Sequence, residues 1–342
     1  DLLYNVKQPA SAGGKWDGAQ WTILTNIGTM QNVGWELMFK GDVIRTRDFR
    51  WGLNLDASFI KNKLTKLPAS GNQWTSNIAL IEGKSRYEFY IPTYAGVDMA
   101  TGRALYEINK DSHEFMELNE ETGNWEFSQS AWDSNIEGAK KNNAYVEIDG
   151  KPYTTQTTYS SKEFQGSSLP TVFGSFGTTL EWKGITLGAL FTYSLGGKVL
   201  DSTYNSLMSY GDGKTNSYHK DVLNSWTEAP AGLNMDDPSQ RISKKINPQI
   251  NAQYSSYDNA TSSRWLTDAS YLQFKNLSVG YDFPKVVTDP IKLQALNLGF
   301  NVENLFTVTK RKGINPAYNY SGGQGNYFVV SRVFSFQLTA RF

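Results

Sequence analysis

The feature that most constrains the fold is a strict alternation of apolar and polar residues over long stretches, clearest at the chain end. From Phe334 to Phe342 every second residue is apolar, and Ser335, Gln337 and Arg341 are among the residues between. A period of two is that of a β-strand, whose successive side chains point to opposite faces. The pattern therefore predicts a strand in a sheet with one apolar and one polar face.

The same alternation occurs in seven segments that turn signals separate. In the second, Leu53 and Leu55 alternate with Asn54 and Asp56. The fifth begins irregularly, and we predict a bulge near Phe274. Most segments have ten or more residues, whereas soluble strands average about 5–6 and membrane strands need roughly 9–11. The predicted strands span about residues 28–42, 49–63, 169–183, 185–197, 268–283, 293–308 and 328–342.

The connections between these segments alternate between short and long. Short ones follow the first, third and fifth segments, with tight turns expected at 45–48 and 183–184, and long ones cover about 64–168, 198–267 and 309–327. Transmembrane β-barrels have short periplasmic turns and long extracellular loops. The sequence therefore predicts an all-β fold, a transmembrane antiparallel β-barrel whose last strand ends on the periplasmic side.

Composition is compatible with such a barrel. Aromatic residues are 14% of the chain and charged residues only 19%, below the usual quarter or so. No run of about 18 apolar residues predicts a membrane helix. The net charge is zero, which gives no general attraction to nucleic acid. With no cysteine, disulfides and cysteine-ligated zinc are excluded. A soluble β-rich protein is the alternative.

Seven strands are too few for a closed bacterial barrel. Such barrels have even strand numbers and leave no edge unpaired in lipid. The segment Asp1–Tyr4 resembles the end of a strand already under way. We therefore interpret residues 1–342 as the C-terminal portion of a larger barrel, and expect the earlier strands to precede Asp1.

No pattern of residues indicates an enzyme, and no catalytic residue or metal centre is predicted. The two histidines are His113 and His219, and His113 lacks the second histidine of a zinc-protease motif. Two clusters in the long connections, Asp236–Asp237 and Tyr257–Asn259, offer oxygen ligands for calcium. Neither has the spacing of a defined calcium loop, and solvated turns are the alternative.

Aromatic residues in the long connections are candidates for contact with a substrate or a lid protein, because aromatic faces stack on sugars and anchor protein interfaces. The alternative is that they pack the loops against one another. The candidates are Trp74, Trp125, Trp132, Tyr210, Trp226 and Trp265.

Within the predicted strands, charged residues on the polar face are expected to line the barrel interior. The predicted lumen-facing residues are Glu36, Asp56, Glu181, Glu303 and Arg341. Three tryptophans on the apolar face, Trp35, Trp51 and Trp182, are expected at the membrane boundary, where aromatic girdles form.

Six short motifs, in order along the chain, resemble those of SusC/RagA-type TonB-dependent transporters. Asn26–Leu37 is similar to the strand N-I-G-x-M-x-N-x-G-x-E of that family, and Asn62–Leu64 closes the next strand. Ala95–Gly102 is similar to the turn A-G-V-D-P-x-T-G, with Met99 in place of the usual proline. The other matches are Leu169–Thr179, Asn304–Thr307 and Val333–Phe336.

This resemblance implies the C-terminal third of a barrel of roughly 22 strands in the outer membrane of a Gram-negative bacterium, with an N-terminal plug and the earlier strands before Asp1. It implies import of oligosaccharides or peptides, a SusD-like lipoprotein lid, energy supplied through TonB, and a dimer of transporter–lid pairs. It also implies that Phe342 is read by the barrel assembly machinery. A passive porin or adhesion barrel, and a soluble glycan-binding surface protein, are the alternatives.

Overall fold

The computed structural model contains one large antiparallel sheet, here called the main sheet. It describes residues 2–7, 10–16, 21–67, 73–74, 77–119, 121–122, 124–210, 217–310, 323–324 and 330–342. The main-sheet strands are β1 (Leu2–Lys7), β2 (Trp21–Arg45), β3 (Phe49–Lys66), β4 (Val172–Trp182), β5 (Ile185–Leu195), β6 (Tyr271–Asp282), β7 (Ala295–Thr309) and β8 (Val333–Arg341). They are hydrogen bonded in that order, and Lys15–Trp16 pairs additionally with β2.

The strand boundaries differ from the sequence prediction mainly at the start of the chain. β1 adds a strand to the seven predicted, and β2 begins at Trp21 rather than near residue 28. In both places apolar residues such as Leu2, Leu3, Ile23 and Leu24 stand side by side. A strand without alternation gives no period-two signal, so the period-two pattern missed these parts, although Asp1–Tyr4 was interpreted as the end of a strand.

The predicted bulge is confirmed, and it involves two strands. Lys275 is an extra residue in β6 relative to β5, where the register shifts between Phe274 and Asn276. Asn304 in β7 has a φ of 53°, and its side-chain oxygen accepts hydrogen bonds from Gln273 and Lys275 at 3.2 and 3.0 Å. Asparagine tolerates this left-handed conformation better than most residues, which explains its place in the 304–307 motif.

Short connections lie at one edge of the main sheet and long ones at the other. The turn between β2 and β3 covers residues 46–48. Lys183 and Gly184 join β4 to β5 with φ of 47° and 87°, the two positive values of the tight hairpin turn that suits twisted strands. The third short connection holds a helix, Lys285–Thr288, and a 3-10 turn, Asp289–Ile291.

The register gives the main sheet two different faces. Paired residues lie on the same face, and the pairs that Phe176 makes with Leu55 and Phe191 continue an apolar face across the strands. Aromatic rings stack along it: Phe176 lies 4.9 Å from Phe191, which lies 4.3 Å from Phe274. The opposite face carries polar pairs such as Asn276 with Asn301, at 2.8 Å.

The two long connections, 67–171 and 196–270, fold together into a second body, here called the loop body. Its centre is a five-stranded sheet in the order Tyr145–Ile148, Lys151–Thr154, Ala104–Glu107, Tyr94–Asp98 and Ile242–Ser243. The last strand comes from the second connection and the other four from the first. The two connections therefore form one unit.

Further elements surround this sheet. The helices are Gln129–Lys141, Ser202–Met208, Pro238–Arg241 and Ser255–Asp258. The longer remaining strands form three antiparallel pairs: Glu88–Pro92 with Lys162–Ser167, Met116–Leu118 with Trp125–Phe127, and Lys198–Asp201 with Leu266–Asp268. Ser128 begins the longest helix, since its side chain accepts a hydrogen bond from the Ala131 N–H. Among the described residues, no helix is both long and apolar enough to cross a bilayer.

Candidate functional site

The register brings the five charged residues expected on the polar face to one face of the main sheet. Asp56 pairs with Met38, two residues from Glu36, and with Ser175, six residues from Glu181. Since residues of equal parity share a face, these three lie on it together. Glu303 and Arg341 join them through pairs that continue across β6, β7 and β8.

Several of these charges have partners within the face. The Arg50 guanidinium lies 2.9 Å from a carboxylate oxygen of Asp42 and 3.3 Å from one of Glu181, close to the short-turn edge. The Asp56 carboxylate accepts a hydrogen bond from the Ser175 N–H at 2.9 Å and another from the Ser175 hydroxyl. Fixed polar groups of this kind give the face a defined pattern of donors and acceptors.

The turn predicted at Asp98 and Gly102 is confirmed, and the Asp98 side chain organises it. Its carboxylate is fully buried and accepts hydrogen bonds from the Ala100 N–H at 3.0 Å and the Thr101 hydroxyl at 2.9 Å. It also pairs with Arg241 at 3.0 Å. A buried carboxylate needs this degree of pairing to offset its desolvation. Asp98 therefore joins the first long connection to the second.

A second buried ion pair also joins the two long connections. Asp258 is fully buried, lies 3.0 Å from the Arg103 guanidinium and accepts a hydrogen bond from the Ala104 N–H at 3.1 Å. Burial raises the pKa of the Asp258 carboxyl, while Arg103 acts in the opposite direction. The Tyr106 hydroxyl donates to the Tyr257 carbonyl at 2.6 Å. These contacts hold the loop body together from both sides of its sheet.

The two clusters considered for calcium have other roles in the structure. Asp237 caps the helix Pro238–Arg241 by accepting from the Ser239 N–H at 2.9 Å, and these hydrogen bonds lower its carboxyl pKa. Asp258 belongs to the ion pair with Arg103. Among the described residues, no group of three or more His, Cys, Asp or Glu side chains is placed to hold a metal ion.

Two of the six candidate aromatic contacts are core residues, which corrects their interpretation as surface contacts. Trp265 is 2% exposed, and its indole N–H donates to the Ala260 carbonyl at 2.9 Å. Tyr210 is 7% exposed and donates its hydroxyl hydrogen to the Gln249 carbonyl; burial raises its pKa to about 12. Loop sequences carry no periodicity that distinguishes a buried aromatic residue from an exposed one.

The other four candidates differ in how far they are accessible. Trp226 is half-buried against Gly102, and its indole N–H donates to the Met99 carbonyl at 2.9 Å. Trp125 is exposed, with its ring 4.3 Å from His113. Burial lowers the pKa of His113. Trp74 lies in a two-residue strand, and its side chain is outside the described residues.

The remaining candidate, Trp132, lines a cleft in the loop body. This cleft, here called the aromatic cleft, lies between the helix Gln129–Lys141, the hairpin 145–154 and residues 107–110, and has a volume of about 620 Å³. The Trp132 ring stands edge-on to Phe115 at 5.0 Å, and the Lys110 ammonium lies 5.1 Å from it. Tyr145 and Tyr153 line the same cleft. Sequence reasoning missed both tyrosines, because they become neighbours of Trp132 only through strand pairing.

Comparison with known proteins agrees with this architecture. The "TonB-dependent receptor P3" of Formosa agariphila is 26% identical over 311 residues, which cover 87% of this chain and 26% of that protein. The "TonB-dependent receptor P39" of the same organism is 23% identical over 336 residues, covering 95% of this chain and 30% of that protein. A solved "RagAB peptide transporter" is 20% identical, with a TM-score of 0.69 over 99% of this chain and 32% of the other. The chain is similar in sequence to TonB-dependent receptors and shares the fold of part of the RagAB transporter.

No family model matches the chain, so the similarity depends on these relatives, the fold and the ordered motifs. The RagAB peptide importer solved in its "open-open" state has a TM-score of 0.66 at 19% identity. The chain spans less than a third of the length of the relatives and structures named here. The two motifs with a clear structural role in this chain are the Asp98 turn and the Asn304 bulge.

Proposed function

We propose that the chain forms the C-terminal part of the barrel of an outer-membrane importer that takes up a bulky nutrient, an oligosaccharide or a peptide, in a Gram-negative bacterium. The observation that carries the proposal is the apolar face of the main sheet. On it Trp35 is 76% exposed and Phe336 78% exposed. A contiguous apolar surface of this extent is unfavourable in water, whereas a lipid bilayer buries it.

The positions of three tryptophans support a membrane-spanning sheet. Trp182 pairs with Phe49 beside the short turns, and Trp51 is two residues further along β3. Trp35 pairs with Phe59, about 27 Å from Trp51 along the strand at 3.3–3.4 Å per residue. At a tilt of about 40° this separation becomes roughly 20 Å, near the height of about 25 Å of the apolar band between two aromatic girdles.

In this proposal the loop body lies outside the cell, because it follows the long-connection edge of the main sheet. A SusD-like surface lipoprotein closes over it, TonB supplies the energy, and two transporter–lid pairs form a dimer. The similar RagAB structures are those of a peptide transporter, which supports a peptide; the aromatic cleft supports a glycan. No residue arrangement in the described part of the chain favours an enzyme.

Fractionation and uptake together test the proposal. The intact protein is expected in the outer membrane, released only by detergent, and its loss should abolish growth on one oligosaccharide or peptide mixture. Growth should also fail when TonB is removed. Extraction without detergent would exclude the membrane barrel, and uptake that persists without TonB would favour the passive porin.

Phe342 supplies a narrower test of barrel assembly. It ends the apolar stripe of β8 and is 85% exposed. Deleting Phe342 is expected to reduce the amount of heat-modifiable barrel in the outer membrane several-fold, while Phe342→Tyr, which keeps the ring, should preserve it. An unchanged yield after the deletion would remove Phe342 from the assembly signal.

A further inference from the structure

We propose that the aromatic cleft is a binding site for a short neutral oligosaccharide, separate from the interior of the barrel. The inference rests on the proposed function and names a substrate class for it. The cleft belongs to the loop body, so it would hold a glycan at the cell surface before the glycan enters the barrel.

The cleft has the size and lining of a ligand site. Its volume of about 620 Å³ lies within the roughly 300–1,000 Å³ that is typical of small-molecule sites. Ile108, which is buried, and Ile136 line it together with charged and aromatic residues. A mixture of apolar lining and a few polar groups is the usual form of such sites.

Three aromatic side chains line this cleft, and neighbouring residues fix two of them. Trp132 packs edge-on against Phe115, and the Lys110 ammonium lies 5.1 Å from the centre of its ring. Tyr145 donates its hydroxyl hydrogen to Glu147 at 2.7 Å, and the Lys140 ammonium lies 4.8 Å from its ring. Rings held in this way lose little conformational entropy on binding. Flat apolar rings of this kind fit the C–H faces of a sugar.

The polar groups of the cleft favour a polyhydroxylated ligand. Glu107 offers a carboxylate that accepts hydrogen bonds, while Lys110 and Lys151 offer ammonium groups that donate them. A sugar hydroxyl both donates and accepts, so one ring satisfies both kinds of group. One carboxylate beside two ammonium groups gives no strong preference for an anion.

The strand pairing restricts how a peptide could bind in the same place. Peptides bound as an added strand need a free sheet edge. The two strands that bring Glu107 and Tyr153 to the cleft pair with each other, and each has a further partner on its other side. Tyr145–Ile148 is the outer strand of the same sheet, so a peptide added along it is the competing outcome of the binding test.

The test is calorimetric titration of the full-length transporter, purified with any partner that accompanies it, against malto-, xylo-, manno- and cello-oligosaccharides. Short peptides of similar size are the comparison. At least one oligosaccharide series is expected to bind, and Trp132→Ala should weaken that binding about tenfold through loss of the aromatic face. Lys151→Gln, at an exposed turn, should weaken it about threefold through loss of one donor.

Matched controls separate the cleft from general damage. Tyr218→Ala removes a half-exposed aromatic ring elsewhere in the loop body, and Lys244→Gln removes an exposed lysine beside Ile242–Ser243, at the other edge of the five-stranded sheet. Both should bind as the unmodified protein does. If Trp132→Ala fails to fold, as judged by proteolysis of the loop body, the test depends on whether Lys151→Gln and Glu107→Gln weaken oligosaccharide binding.

Three outcomes would overturn the inference: no oligosaccharide series binds, binding is unaffected by all cleft variants, or peptides bind in the cleft instead. Nutrient uptake by cells distinguishes these outcomes from failure of the proposed function. Normal TonB-dependent uptake with an inactive cleft rejects the glycan site alone, whereas absence of uptake of any nutrient rejects the importer.

Discussion

The main sheet and the loop body bury their apolar side chains in opposite ways. Among the described residues, the buried hydrophobic side chains belong to the loop body or its junction with the sheet, except Val302 in β7. On the main sheet, large apolar side chains such as Trp35, Phe336 and Leu338 stay exposed. The loop body therefore has a hydrophobic core of its own, as soluble domains do, whereas the main sheet depends on its surroundings to cover its apolar face.

We expect the largest effect on the loop body from removal of the Asp98 carboxylate. Asp98→Ala leaves the Arg241 guanidinium, whose side chain is 11% exposed, without its buried partner. Breaking a buried ion pair on one side costs about 3–5 kcal/mol. We expect the loop body to become sensitive to protease on intact cells, while the barrel remains heat-modifiable in the outer membrane.

A matched aspartate makes this prediction specific. Asp237→Ala removes a helix cap at a half-buried position, which costs about 0.5–2 kcal/mol. It should leave the protease pattern nearly unchanged. Equal effects of the two substitutions, or loss of the barrel in Asp98→Ala, would mean that the two bodies do not fold independently.

Charge substitutions at two exposed apolar residues test whether the apolar face of the main sheet is covered by its surroundings. Phe336 is 78% exposed on the main sheet and Leu223 is 90% exposed in the loop body. If lipid covers Phe336, Phe336→Arg should cost about 2–4 kcal/mol and reduce barrel yield, whereas Leu223→Arg should change stability by less than about 0.5 kcal/mol. Denaturant unfolding of the detergent-solubilised protein measures both, and similar values would argue against a lipid-facing sheet.

The main sheet and the loop body also differ in how much of their structure could be predicted from the sequence. The strands from about residue 28 onward could be predicted because one face must be apolar and the other polar, which gives the sequence a period of two. The turn at Lys183–Gly184 was also readable, since its positive φ values favour glycine. These features depend on residues that are close together in the sequence.

The loop body could be predicted only in fragments. The turn around Asp98 could be predicted from its own residues. Its partner Arg241 is 143 residues away, and no local pattern predicts such a pairing. The helix after Ser128 had a signal in the N-cap serine and the final Lys140–Lys141 pair, which suit the two helix ends. The burial of Trp265 and the cleft at Trp132 depend on long-range packing, which the sequence alone did not specify.

A smaller effect is expected at the Asp98 turn itself. Gly102 has a φ of 72°, and a Cβ atom there would lie 2.3 Å from the Trp226 ring. Gly102→Ala therefore combines backbone strain with a steric clash, at a cost of the order of 1–3 kcal/mol. Thermal unfolding followed by the protease sensitivity of the loop body should reveal it. Gly232→Ala, also at positive φ but in open space, is the control that isolates the contribution of Trp226.

The smallest expected effect concerns the pH dependence of the loop body. Burial raises the pKa of Glu163, and the nearby carboxylates of Glu114, Glu107 and Asp111 raise it further, while a hydrogen bond from Asn109 lowers it. A carboxyl whose pKa is higher in the folded state binds more protons folded than unfolded. Its contribution to stability is therefore present at pH values below its unfolded pKa of about 4.3 and is lost as the pH rises through its folded pKa.

Glu163→Gln should remove this loss, because the amide keeps the oxygen that accepts from Asn109 at 3.1 Å but carries no charge. The loop body of the variant should be slightly more resistant to heat than that of the unmodified protein at neutral pH, and the difference should vanish at about pH 4. Glu117→Gln, on the neighbouring hairpin, is the control and should show no such trend. Because the main sheet contains no part of this acidic cluster, barrel unfolding should follow the same pH curve in all three proteins. A pH-dependent shift of barrel unfolding in Glu163→Gln would mean that the two bodies unfold as one.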